Sequence, residues 1–169
     1  MAEQVSNSEQ ATRERREIIV ARAGERLLGV FAEEAAGIER GSRPTPLPHA
    51  PLAVLGIVSV RGRILTLLDS SALLGESRAE GVTANAQPPF ILALRGEEQL
   101  ALAVDSAGQL REICTDEIEQ PTGAAAAVAH GTFQDENTQI IILDVARLFS
   151  VAVEGMTERR RNRLLHDEK

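Results

Sequence analysis

The chain has 169 residues, 43% of them hydrophobic and 25% charged, and a formal net charge of −7. That balance describes one globular domain or two small subdomains sharing a core, and its acidity opposes a general nucleic-acid role. With no Trp, no Tyr and four Phe, the aromatic platforms on which single-strand binders stack bases are nearly missing.

No window approaches the roughly 18 apolar residues that cross a bilayer, so no membrane insertion is expected. The start, MAEQVSNSEQ, lacks a basic region followed by an apolar one, so no secretory signal is read and a cytoplasmic protein is expected. A single cysteine, Cys114, allows no internal disulfide and offers no second thiol for zinc.

Residues 1–15 are polar and unpatterned and read as a mobile tail. The arginine clusters at 13–17 and 158–163 read as solvated helix faces or tails. From Ile18, EIIVA, a turn at RAGE and RLLGVF read as short strands. The Pro-rich RPTPLPHAP (43–51) interrupts regular hydrogen bonding. A hairpin follows, LGIVSVRGRILTLLD (55–69), with Val58, Ser59 and Val60 entering the Arg61-Gly62 turn. Residues 76–89 read as a surface loop.

The pattern then begins again. A shift of 73 sets Ile18–Arg40 on Ile91–Ile113 without a gap, and a shift of 75 sets Gly56–Leu74 on Gly131–Phe149. Two segments recur in the same order with matching apolar positions, which implies an internal duplication with all-β halves at about 17–75 and 90–150. Runs such as QIIIL (139–143) are apolar on both faces, as in strands covered on both sides.

Asp69 and Asp144 fall on each other, each ahead of a short helical segment, and read as N-caps; Gly75 suits the position just past the first helix. Arg61-Gly62 falls on Glu136-Asn137, so Gly62 and Asn137 are expected to supply the same backbone freedom. The second copy carries an acid where the first has Arg61. That separates the turn, assigned to Gly62, from recognition, assigned to Arg61. Interface anchors are enriched in Trp, Tyr and Arg, and only Arg is available here.

No catalytic constellation emerges. A two-lobed aspartic peptidase needs equivalent carboxylates from both lobes, but Asp105 aligns with Ala32, and the Gly that follows the catalytic Asp-Thr/Ser is absent. His49, His130 and His166 are scattered over expected loops and the C-terminal tail, without metal-ligand spacing. No enzyme activity, metal or cofactor is expected. The last stretch, 151–169, reads as a charged helix or tail with Met156, Leu164 and Leu165 as its apolar residues.

PLPHAPLAVLGIVSVRGRILTLLDSSALLG, followed by ILALRGEEQLALAVDSAGQLREI and HGTFQDENTQIIILDVARLF, resembles the CheW-like family in order over about residues 16–150. The resemblance implies two intertwined five-stranded SH3-like barrels with short helices. It also implies a non-catalytic cytoplasmic adaptor recruited to membrane receptor arrays. Such adaptors join a CheA-type histidine kinase, through its regulatory domain, to the cytoplasmic tips of chemoreceptors (methyl-accepting chemotaxis proteins). Kinase contacts would use exposed apolar barrel surface, and receptor contacts the groove between barrels. Arg61 and Gly62 fall on the family's Arg-Gly turn, with Val60 in place of Leu and Ser59 in place of Asn. The partner-binding surface that the resemblance implies is expected on Arg61, Gly62, Val60, Ser59 and Val58 together with Gly37 and Glu39. The family's upstream Glu falls on Gly37, and Glu39 or Glu34 could take over that carboxylate's part. Two alternatives follow: a divergent member serving pilus-based motility or modulating array assembly, and a small-ligand or nucleic-acid binding barrel, which the acidity and missing aromatics oppose.

Overall fold

The computed structural model describes residues 13–76 and 86–152. Its ten strands are β1 (Arg15–Ala23), β2 (Arg26–Phe31), β3 (Ala35–Arg40), β4 (Val54–Val60), β5 (Arg63–Asp69), β6 (Phe90–Leu94), β7 (Leu100–Val104), β8 (Ser106–Cys114), β9 (Ala129–Asp135) and β10 (Thr138–Leu143). They form two five-stranded sheets, in the orders β8-β1-β2-β10-β9 and β3-β6-β7-β5-β4. Neither sheet comes from one half of the sequence. In each, a strand of one half runs parallel to a strand of the other, β2 with β10 and β5 with β7. All other ladders are antiparallel.

Exchanging β1–β5 with β6–β10 turns the strand order of one sheet into that of the other. The register agrees in detail. β4 and β9 span 54–60 and 129–135, offset by 75 at both ends. Both bulge at the same place, between Val54 and Gly56 and between Ala129 and Gly131.

The glycines that coincide in the two halves have a steric reason. A Cβ on Gly56 would stand 2.2 Å from the Thr45 carbonyl oxygen, and one on Gly131 2.7 Å from that of Glu119. At each place a connecting segment is pressed onto an edge strand. Thr45 exchanges two backbone hydrogen bonds of 2.8 Å with Ile57, and Glu119 two of 2.8 and 2.9 Å with Thr132.

These bridges qualify the barrel expectation. Neither sheet closes as a continuous ladder: β3 and β4 are the edges of one, β8 and β9 of the other. A one-residue bridge draws each pair of edges together, because the Pro-rich and 3-10 segments that reach the edge cannot extend the pairing.

Strand alternation distributes the core. Ile140 and Ile142 join Ile18, Val20, Phe31 and Ile113 within the first sheet, while Ile141 and Leu143 face the opposite way. Ile91 and Ala93 likewise join Val58, Val60, Leu65 and Leu67 within the second sheet, while Leu92 and Leu94 face away. Those outward residues meet in one shared core that unites the sheets. Each sheet therefore curls around an apolar set of its own and buries its other face against its neighbour, which is why these strands are apolar on both sides.

Several expectations need correction. The basic cluster at 13–17 forms no helix: Arg15–Glu17 pair with β8, and Arg15 and Arg16 hold Glu112 and Glu33. The strand takes in Arg15, which the sequence reading leaves in the tail. His130 lies in β9, with its ring edge-on to Phe31 at 5.5 Å, rather than in a loop. Residues 1–12, most of the 76–89 loop and all of 153–169 lie outside the described residues.

Candidate functional site

The β4–β5 hairpin is a two-residue connection between the paired Val60 and Arg63. Both turn residues are left-handed, Arg61 at φ 49° and Gly62 at φ 77°. This is the type I′ pattern that matches the twist of its strands. Gly62 has open space around a would-be Cβ, so its constraint is the backbone alone. In the β9–β10 hairpin the left-handed residue is Glu136, at φ 52°; Asn137 is not left-handed. Asn137 therefore does not share the backbone freedom of Gly62, as the sequence alignment had suggested. What recurs is a left-handed first residue, Arg61 and Glu136, one position earlier.

From the turn, the Arg61 guanidinium crosses to β3. Its Nη2 forms an ion pair with Glu39 Oε1. A Cβ on Gly37 would lie 3.9 Å from its Nη1. Glu39 and Gly37 are two apart on one strand and so share a face. Among the described residues the carboxylate paired with Arg61 is that of Glu39, and position 37 has none. Glu34, the other candidate, faces elsewhere: its electrostatic neighbours are Arg16, Glu33 and Asp144. Burial raises the Glu34 carboxyl above its ordinary range, against the pull of Arg16. Glu33 goes the other way, lowered chiefly by its hydrogen bond from Arg16.

Glu39 is two-thirds buried while Arg61 is 71% exposed. Glu39 Oε1 is buried and has no hydrogen-bond partner among the described residues. Its contact with Arg61 is an ion pair across the gap between the two edges of its sheet. The other sheet repeats the device with the charges exchanged: Arg111 of edge strand β8 pairs with Asp135, at the end of edge strand β9, at 2.5 Å. The acid that makes this bridge is Asp135, not Glu136, which falls on Arg61; both its members stand one position earlier in the aligned segments than Glu39 and Arg61. Arg61 has a structural task as well as an exposed position.

The remaining candidates separate by alternation. Ser59 points outward, whereas Val58 and Val60 are buried in the core of the second sheet. Val58 is therefore no surface contact. Val60 reaches only a small cavity of about 70 Å³ that Gly37, Glu39, Arg61 and Arg63 also line. Asp69 Oδ1 accepts hydrogen bonds from the amides of Ser71 (3.1 Å) and Ala72 (3.3 Å), capping the short helix Ser70–Leu73. Asp144 precedes the helical residues 145–152 and pairs with Arg147 at 3.2 Å.

The sequence reading missed two surface features. Ile64 beside the hairpin is 63% exposed. An apolar groove of about 310 Å³ lies between the Pro-rich loop, β5, β7 and the 145–152 helix, lined by Leu47, Pro51, Val54, Leu68, Leu100 and Phe149. Its walls come from segments up to about 100 residues apart, so no local pattern announces it.

A family model described as the CheW-like domain matches residues 17–153. The chain belongs to the CheW-like family. Chemotaxis protein CheW of Rhizobium meliloti (strain 1021) is 30% identical to this CheW-like chain over 139 residues, covering 79% of it and 87% of that protein. Protein FrzA of Myxococcus xanthus is 28% identical over 145 residues, covering 83% and 89%. The fold is similar to the crystal structure of the scaffolding protein TtCheW from Thermoanaerobacter tengcongensis, with a TM-score of 0.65 at 23% identity over 78% of this chain and 90% of that one. Within this CheW-like domain, no group of His, Cys, Asp or Glu among the described residues could hold a metal ion. No helix among them is long and apolar enough to cross a membrane.

Proposed function

We propose that the chain is a non-catalytic adaptor of a bacterial chemosensory pathway, coupling the regulatory domain of a CheA-type histidine kinase to the cytoplasmic tips of chemoreceptors. The observation that carries this reading is the CheW-like match, which runs unbroken through both sheets. The adaptor works in the cytoplasm and is recruited to membrane receptor arrays. Its two sheets descend from one duplicated unit whose strands are exchanged between two SH3-like barrels, a reading supported by the matching strand orders and bulges.

Two surfaces support two partners. The hairpin carries an exposed arginine on a rigid turn beside exposed Ile64, a pairing suited to a protein interface. The apolar groove between the Pro-rich loop and the 145–152 helix is large enough to receive side chains from a second partner. Co-purification from the source organism tests the reading: the tagged full chain brings down a CheA-type kinase and a chemoreceptor, and recovery of neither would overturn it.

The departures at Gly37 and Ser59 favour a second reading, in which the adaptor serves another output, such as pilus-based motility, or modulates array assembly. Gly37→Glu would then tighten kinase binding by giving Arg61 a second carboxylate. No change in affinity would count against this reading.

A further inference from the structure

Charge is unevenly spread over this acidic chain. From Arg40 to Leu68 there are four arginines, Arg40, Arg43, Arg61 and Arg63, and no acidic residue; all 25 Asp and Glu lie elsewhere. The fold gathers these arginines at one seam. The Thr45–Ile57 bridge is antiparallel, so residues 40–45 run back along β4 toward the hairpin that bears Arg61 and Arg63. All four arginines are exposed. Among the described residues only Arg61 has a carboxylate partner, Glu39. Of the other acids of that sheet, Asp69 is buried at the far end of β5, and Glu97 and Glu98 sit in the β6–β7 turn on the β7 side of β5. Exposed Ile64 lies within the same patch.

We infer that this seam docks a protein surface that presents carboxylates around an apolar side chain. Unpaired arginines on a net-negative molecule attract an anionic partner locally while the rest of the chain repels it, which orients the encounter. The exposed isoleucine favours a protein over a nucleic acid or a lipid headgroup, and the patch has no aromatic ring on which bases could stack. The partner's identity as the kinase or receptor rests on the adaptor reading; the carboxylate-bearing chemistry does not.

The test uses the full chain and the triple variant Arg40→Gln, Arg43→Gln, Arg63→Gln, which leaves the Arg61–Glu39 pair intact. Backbone amide NMR shifts are followed at low ionic strength as a poly-glutamate peptide is added. The expected result is perturbation centred on residues 40–45 and 59–64 in the wild type, lost in the variant and reversed by salt. Shifts that are absent, or spread over the surface, would overturn the inference. So would a stronger response at the same residues to duplex DNA or to phosphatidylserine vesicles. In parallel, both proteins are titrated against the CheA-type kinase and a receptor cytoplasmic fragment. One of these should bind the variant about tenfold more weakly, with a flatter salt dependence. Binding that is equal in wild type and variant would leave the adaptor reading standing and remove this one. Poly-glutamate binding at the seam with neither protein bound would do the reverse.

Discussion

Arg61 and Glu39 form an ion pair that joins the two edge strands of one sheet, and Arg111 and Asp135 join those of the other with the charges reversed. The arginine of the hairpin therefore cannot be read as free for recognition merely because the turn does not need it. A charge-exchange cycle separates its two tasks. Arg61→Glu places a like charge beside Glu39 and should cost about 1 kcal/mol in urea unfolding, at the upper end for exposed pairs because Glu39 is two-thirds buried. Adding Glu39→Arg should restore that stability. Kinase or receptor binding, lost in the single variant, should stay lost in the double variant. Recovery of binding along with stability would make Arg61 purely structural.

The paired glycines of the edge strands give a second prediction. Gly56→Ala forces a Cβ into the Thr45 carbonyl at a backbone φ of 143°. It should lower unfolding stability by about 2–3 kcal/mol and speed amide exchange at Thr45 and Ile57. Gly131→Ala should do the same at Glu119 and Thr132, where its Cβ would also meet Ile118 Cγ2 at 2.3 Å. Unchanged exchange at both bridges would show that the edges are not held this way.

Asp69 is buried and caps the Ser70–Leu73 helix with two hydrogen bonds. Its own amide donates to the Ala53 carbonyl at 2.7 Å. Asp69→Ala should cost about 1–2 kcal/mol, and Asp69→Asn, which keeps an acceptor, clearly less. Equal losses in the two variants would mean that the negative charge, not the cap, is what matters.

Glu33 and Glu34 should respond oppositely to pH. Burial raises the folded-state pKa of Glu34, so its charged form opposes folding at neutral pH, and that penalty disappears as acid protonates the group. Glu34→Gln should therefore raise Tm at pH 7 and lose its advantage below the ordinary glutamate range. Because the group is partly exposed, solvent screening limits the gain to about 0.5 kcal/mol. Glu33, lowered by Arg16, contributes stability above the ordinary glutamate value and loses it as pH falls through its lowered folded value. Glu33→Gln should lower Tm at pH 7 and leave it unchanged in strong acid. Thermal melts across that range check both signs.

The strands, and the spacing that relates β4 to β9, were legible because each strand carries its own apolar signal. The 75-residue offset places β9 on β4 at both ends, and Gly131 on Gly56. What pairs with what was not legible from the residues themselves. The parallel joins within each sheet, Ile140 with Leu27 and Thr66 with Leu100, link distant positions that share no local pattern. The basic run at 13–17 misled for a related reason: its arginines are neutralised by Glu33, Glu112 and Asp116, which only the fold brings near. Asn137 misled because turn residue types constrain a hairpin without fixing which residue turns left-handed. The acid-free stretch 40–68 could have been seen in the sequence, but only the Thr45–Ile57 bridge folds its arginines onto one seam.

The adaptor claim is tested most directly by a reconstituted phosphorylation assay. Purified CheA-type kinase and receptor signalling fragment from the source organism are combined with and without the full chain, and kinase autophosphorylation is measured. The account predicts receptor-dependent control of the kinase only when the chain is present, weakened by Arg61→Glu. Autophosphorylation that is the same with and without the chain, in the presence of receptor, would contradict it.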